Sequence, residues 1–102
     1  MVKVELRTDA GLALTTDEGH WVVTPINTVA WQLAIDHTPS KESAVEVITT
    51  IWDETDARKV FAIVPAVSEE LIMLAKSIGF KQEGRMKGGC EFGDLVIIGR
   101  LR

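Results

Sequence analysis

Two short apolar stretches, Val29 to Ile35 and Val60 to Val64, flank a segment whose apolar residues recur at a helical interval. Within it Ala44, Val47, Ile48, Ile51 and Trp52 share one face, and Glu46, Thr49, Thr50 and Asp53 take the other. Thr38 reads as the N-cap, with Pro39 at the first helical position, where its missing donor costs nothing. The spacing therefore predicts a helix over 39–55 that crosses between two strands. A crossover of this kind sets those strands side by side and parallel, with right-handed connectivity. Val60 to Val64 does not alternate, which is the pattern of a strand covered on both faces.

Around this unit the chain reads as strands before it and a helix with two strands after it. Val2, Val4 and Leu6 alternate with Lys3, Glu5 and Arg7, and Asp9-Ala10-Gly11 turns that strand. Residues 12–16 and 20–24 flank the acidic turn Asp17-Glu18-Gly19, a hairpin signal, so the first third is an antiparallel meander. After Pro65, Ser68 reads as an N-cap with Glu69 and Glu70 at the positive helix end. Leu71, Leu74, Ala75 and Ile78 then repeat at helical spacing. Gly79 is expected to stop this helix in the left-handed region, with Phe80 folding back on it. Residues 81–86 read as a strand, Lys87-Gly88-Gly89 as its turn, and Leu95-Val96-Ile97-Ile98 as a fully buried closing strand. The order is ββββαβαββ, and residues 1–102 form one α/β domain with a mixed sheet.

Composition removes several classes of function. The chain has 102 residues, 46% of them hydrophobic, enough for one core. Its longest apolar run, Val60 to Val67, is too short to span a bilayer, and its first residues lack a signal-type apolar block, so a cytoplasmic or virion-associated protein is expected. Net charge is −4 without a basic run, which disfavours nucleic acid as the ligand. One cysteine, Cys90, excludes an internal disulfide, and no cation or histidine adjoins it in sequence to activate the thiol. His20 and His37 have no third residue at metal-ligand spacing, so no metal is expected. His37 beside Asp36 has the form of a carboxylate-oriented base, or of a pair that closes a strand end. Trp21, Trp31 and Trp52 read as core or interface aromatics. No tyrosine is present.

The second helix and the strands after it carry a resemblance. Leu74-Ala75-Lys76-Ser77-Ile78-Gly79-Phe80-Lys81-Gln82-Glu83-Gly84-Arg85, followed by Asp94-Leu95-Val96-Ile97-Ile98-Gly99, resembles the GNAT superfamily of N-acetyltransferases. The shared features are a helix ending in glycine-phenylalanine, a strand of the form GF-x-x-EG, and a closing strand after an aspartate. The resemblance covers about residues 39–102 and implies a GNAT-like mixed sheet, trimmed at its N-terminus. It also implies an acetyl-CoA site, with pyrophosphate on the backbone N–H groups of a glycine-bearing loop that opens the central helix. The matching positions are His37 to Ala44, from which Ser40, Lys41, Ser43 and Ala44 are the candidates for a weakened cofactor loop. That stretch has no glycine, Pro39 removes a donor, and Glu42 repels a phosphate. The family's proton-donating tyrosine falls at Ala75, its helix-start asparagine at Ser68, and the first strand with two helices of the acceptor wall is missing.

The sequence therefore points to a GNAT-like domain with no catalytic residues and no cofactor, acting by contact with a protein partner or with its own copies. In size and style it is similar to the accessory and virion proteins of tailed bacteriophages. The alternative is an acetyl-CoA-dependent N-acetyltransferase with a divergent loop, in which Asp36, His37 or a backbone carbonyl helps to deprotonate the amine. Charge is uneven along the chain, with 5 basic and 12 acidic residues over 1–75 against 6 and 3 over 76–102. The basic end, Lys81, Arg85 and Lys87 in particular, is the expected protein interface.

Overall fold

The computed structural model describes residues 1–102, in which β1 (Lys3–Thr8), β2 (Gly11–Thr16), β3 (Gly19–Pro25) and β4 (Ala30–Ile35) form the antiparallel meander. Helix α1 (Lys41–Glu54), β5 (Lys59–Pro65), α2 (Glu69–Ser77), β6 (Lys81–Cys90) and β7 (Gly93–Leu101) follow. All seven strands share one sheet in the order β1-β2-β3-β4-β5-β7-β6. The one parallel pair is β4 with β5, joined through α1 as the crossover pattern requires.

Both helices pack on the same face of this sheet. Leu12, Leu14, Trp21, Val23, Leu33, Val60, Ala62, Val64, Val96 and Ile98 point to that face and join Ala44, Val47, Ile48, Ile51, Ala75 and Phe80 in one core. The opposite face carries no helix. An apolar row runs across it through Leu6, Ala13, Val22, Ala34, Ile63 and Ile97, and Ile63 remains 40% exposed. This corrects the expectation that Val60 to Val64 and Leu95 to Ile98 are covered on both sides. The strands alternate in burial, but their open face is also apolar, and this conceals the alternation in the sequence.

The helix ends differ from expectation in detail. Ser40, not Thr38, caps α1, because its Oγ accepts the N–H of Ser43 at 3.2 Å, and the helix begins at Lys41. Ser68 stands at the N-cap position of α2 but makes no side-chain capping bond. At the other end of α2 the local rule holds fully: Gly79 has φ +100°, its N–H reaches Lys76 O at 3.2 Å, and Phe80 N–H reaches Ala75 O at 3.0 Å. Phe80 is 5% exposed and plugs the core beneath this end.

Strand β6 runs past the expected turn at residues 87–89 and reaches Cys90, so that the hairpin turns at Glu91 and Phe92. Gly88 takes φ +62° within a shift of register and donates its N–H to the Asp94 carboxylate at 2.9 Å. A side chain from the partner strand thus satisfies the donor that a reverse turn would otherwise have used.

Candidate functional site

The parallel pair β4–β5 is joined over only three residues, Ala30↔Lys59, Trp31↔Val60 and Gln32↔Phe61. Beyond them the strands part. The facing edges of Leu33 to Ile35 and Ala62 to Val64 have no strand partner, so their backbone N–H and C=O groups line an opening rather than a ladder. The opening is a cleft of about 340 Å³ bounded by Gln32 to Thr38, Ile63 to Pro65, and Ser68 and Leu71 at the start of α2. Below it, on the helix side, the same parting leaves an apolar chamber of about 40 Å³ between Trp21, Leu33, Ile35, Leu71 and Phe80.

The cleft mouth at Asp36, His37 and Thr38 leads directly to the start of α1. Here the exposed N–H groups of a helix's first turn form a positive end suited to an anion. One anion is already in place, and it belongs to the chain. Glu18, at the tip of the β2–β3 hairpin, accepts the Ser40 N–H at 2.9 Å and the Ser40 hydroxyl at 3.3 Å. Hydrogen bonding from the Ser40 backbone, aided by the hydroxyls of Ser43 and Ser40 and by His37, holds the Glu18 carboxyl below its ordinary pKa.

The four candidate cofactor residues are placed together at this helix start, but in different roles. Ser40 binds Glu18 and caps Ser43, and the Ser43 N–H is thereby used. Ala44 is 4% exposed in the core, and its N–H bonds Ser40 O at 3.1 Å as the first helical bond. Lys41 is exposed, and its backbone N–H and that of Glu42 lie in the first turn, ahead of the first helical bond.

The Asp36–His37 pair forms as the sequence suggests, with Nδ1 of the ring 2.7 Å from the Asp36 carboxylate. His37 and then the His20 N–H keep the Asp36 carboxyl below its ordinary pKa. The other ring nitrogen, Nε2, is buried without a hydrogen-bond partner, and the ring meets Trp21 edge to face at 5.3 Å. This ring therefore closes the end of β4 at the border of the cleft, with Nε2 buried.

Ala75 is 7% exposed, faces the core from α2, and carries no group able to protonate a leaving thiolate. Cys90 is half-buried near the β6–β7 turn, away from the cleft, and its thiol lies 3.5 Å from Gly93 O. Of the expected interface residues on the edge strand β6, Lys81 and Lys87 are exposed. Arg85 is engaged, with Nε 2.7 Å from Asp94 Oδ2. Arg102, counted with the basic end in the sequence, instead folds back onto α1, where it bonds Trp52 O at 2.8 Å and lies over the Trp52 ring.

A meander, one splayed parallel pair and two helices on a common face can be compared with solved structures. A ribosomal-protein-alanine N-acetyltransferase from Brucella melitensis superposes with a TM-score of 0.75 at 16% identity, over 92% of this chain and 70% of that one. The fold is that of the GNAT acetyltransferases. A GNAT family acetyltransferase from Elizabethkingia anophelis, solved with acetyl-CoA bound, matches at TM-score 0.72 and 12% identity, over 91% of this chain and 77% of the other. A spermidine N-acetyltransferase chimera from Vibrio cholerae and hSSAT matches at 0.78 and 14%, over 90% and 68%. No family sequence model matches the chain, and no curated protein matches it by sequence. The likeness is thus one of GNAT architecture. No helix is long and apolar enough to cross a membrane, and no group of three or more metal-ligating side chains is assembled.

Two features of this site escape a reading of the sequence. The open strand edges depend on where pairing stops, which the composition of 33–35 and 62–64 does not encode. The Glu18 contact joins residues 22 positions apart, and only the hairpin signal at Asp17-Glu18-Gly19 hints that a carboxylate is held out at a turn.

Proposed function

We propose that the chain is a divergent acyl-CoA-dependent N-acetyltransferase whose β4–β5 cleft receives the pantetheine arm. The observation that carries this reading is the early end of β4–β5 pairing, which leaves two unsatisfied strand edges facing a cleft open to solvent. The backbone groups of Leu33 to Ile35 are the natural partners for the amides of such an arm. The free N–H groups of Lys41 and Glu42, with the Lys41 ammonium, are the partners for its phosphates. Held by these groups, acetyl-CoA would supply an activated thioester as the acyl donor for an amine.

The protein's own contribution is then binding and orientation rather than proton transfer. Ala75 offers no acid, and Nε2 of His37 is buried in a ring that meets Trp21 edge to face. A positioned acid or base typically contributes about 10²–10⁴-fold, so turnover is expected to be slower than with such a group by roughly that factor. Calorimetric titration with acetyl-CoA, followed by assay of CoA thiol release with a panel of amines including spermidine, tests the reading. Micromolar binding with amine-dependent release is the expected result, and absence of both contradicts it.

A second reading, a non-catalytic GNAT-like domain that acts by contact with a protein partner or its own copies, is favoured by the missing acid at Ala75. The exposed Lys81 and Lys87 on the edge strand support it. An accessory or virion role in a bacteriophage draws on chain size alone. On this reading, sedimentation shows association that weakens with salt and is lost when Lys81 and Lys87 are reversed to glutamate.

A further inference from the structure

We propose that the helix-free face of the sheet is the seat of a second copy of this chain, packed sheet to sheet about a twofold axis along β4. One row of residues crosses that face over the seven strands, in the spatial order Leu6, Ala13, Val22, Ala34, Ile63, Ile97 and Gly84. None is charged, and Leu6, Val22 and Ile63 stay 60%, 47% and 40% exposed. An uncharged row open to water across the full width of a sheet has the form of one inner face of a β-sandwich, waiting for its second sheet.

The order of the row points to the occupant. Ala34, on the central strand, is its midpoint, so a twofold axis there lays the row on its own reverse. Leu6 then faces Gly84 of the second copy, Ala13 faces Ile97, Val22 faces Ile63, and Ala34 faces itself. Large side chains meet small ones in the first two pairings, branched aliphatics meet in the third, and the pair on the axis is small enough for close approach. A different protein would have to supply this succession of knobs and gaps, whereas a second copy already carries it. Charge favours the same occupant. Lys3 with Glu5 and Lys59 with Glu83 border the row and are paired within the chain at 3.7 and 2.7 Å, so the face offers no complement to an acidic or a basic partner. Seven strands about 4.8 Å apart and about 20 Å long present roughly 650 Å² per copy, or roughly 1,300 Å² for the pair, within the range of about 1,200–2,000 Å² that stable interfaces bury. The β4–β5 cleft reaches this face between Ala34 and Ile63, and a second copy seated there closes it on that side.

Sedimentation equilibrium of the full chain, at rising concentration and in low and high salt, tests the proposal. The native chain is expected to be a dimer at micromolar concentration. Unlike association through Lys81 and Lys87, this dimer should persist in high salt, because apolar contact and not ion pairing holds it. Val22→Lys buries an unpaired ammonium twice about the axis and is expected to weaken the dimer roughly a hundredfold or more. Leu6→Lys, on another strand of the same row, is expected to weaken it roughly tenfold and gives a reading that does not depend on how Val22→Lys folds. Val45→Lys makes the same change at an exposed position on α1 and should leave the dimer intact. A native chain that stays monomeric at every concentration overturns the proposal and leaves the face to a different partner. A dimer that dissociates in high salt, that survives both Val22→Lys and Leu6→Lys, or that is lost equally in Val45→Lys overturns it as well.

Discussion

The end of α2 and the start of α1 solve the same problem, unpaired backbone groups at a helix terminus, by opposite means. At α2 the next two residues close the terminus: Gly79 turns left-handed, Phe80 returns its N–H to Ala75, and the ring seals the core. At α1 the terminus is shared between a local cap, Ser40, and Glu18 from a hairpin 22 residues earlier. The local closure is buried and cannot open without reshaping the core. The distant closure is exposed and adds a charged contact to the Ser40 cap. The first terminus is therefore closed by the core, and the second by exposed contacts that join distant parts of the chain.

Substitutions should separate the two termini by size of effect. Gly79→Val forces a β-branched residue into positive φ and displaces Phe80, and is expected to cost about 1–3 kcal/mol in denaturant or thermal unfolding. An unchanged melt would mean that α2 is not closed locally. Ser40→Ala removes the side-chain cap of α1 and is expected to cost about 1 kcal/mol by the same measurement. If Glu18 sustains the helix start unaided, the loss will be absent, and Ser40 is not the cap that holds α1.

Acid titration extends the comparison to charge. The folded-state pKa values of Glu18, Asp36 and Asp94 all lie below their ordinary values. For Asp94 the causes are the Gly88 N–H first and then Arg85. Each group is therefore stabilising in its ionised form. That contribution is complete above the unfolded carboxylate pKa of about 4 and is lost as pH falls through the lower folded values. Melting temperature should hold level from pH 7 to about 5 and then fall. In Asp94→Asn the fall should be shallower, and a melt that declines from neutral pH would contradict the assignment.

The smallest effects belong to the basic edge strand. Lys87→Glu changes an exposed charge with no partner and should leave the melt unchanged. Arg85→Glu sets two carboxylates together at Asp94 and should lower it measurably. Equal behaviour of the two variants would mean that the Arg85–Asp94 contact contributes nothing in solution.

The same contrast explains what could be read from the sequence. The Gly79-Phe80 closure was legible because every group in it lies within five residues, and the meander was legible because hairpins carry their own turn signals. The crossover between β4 and β5 followed from a change in period. Extending β6 to Cys90 was not legible, since Gly88-Gly89 reads as a turn until Asp94, from the neighbouring strand, takes the Gly88 N–H. The exposure of Ile63 was hidden by a run that is apolar on both faces. At the site, the candidates Ser40, Lys41, Ser43 and Ala44 lie together at the start of α1. The anion seated there came from a part of the chain that no local pattern connects to it.

The central claim, that the parted strands β4 and β5 are a ligand cleft and not merely a gap in the sheet, is tested most directly by amide chemical shifts during titration of the ¹⁵N-labelled chain with acetyl-CoA. The account predicts saturable shifts confined to Leu33 to Ile35, Ala62 to Val64 and the first turn of α1 at Ser40 to Glu42. Shifts that instead map to the open sheet face at Val22, Ile63 and Ile97, or no shifts at all, would contradict it.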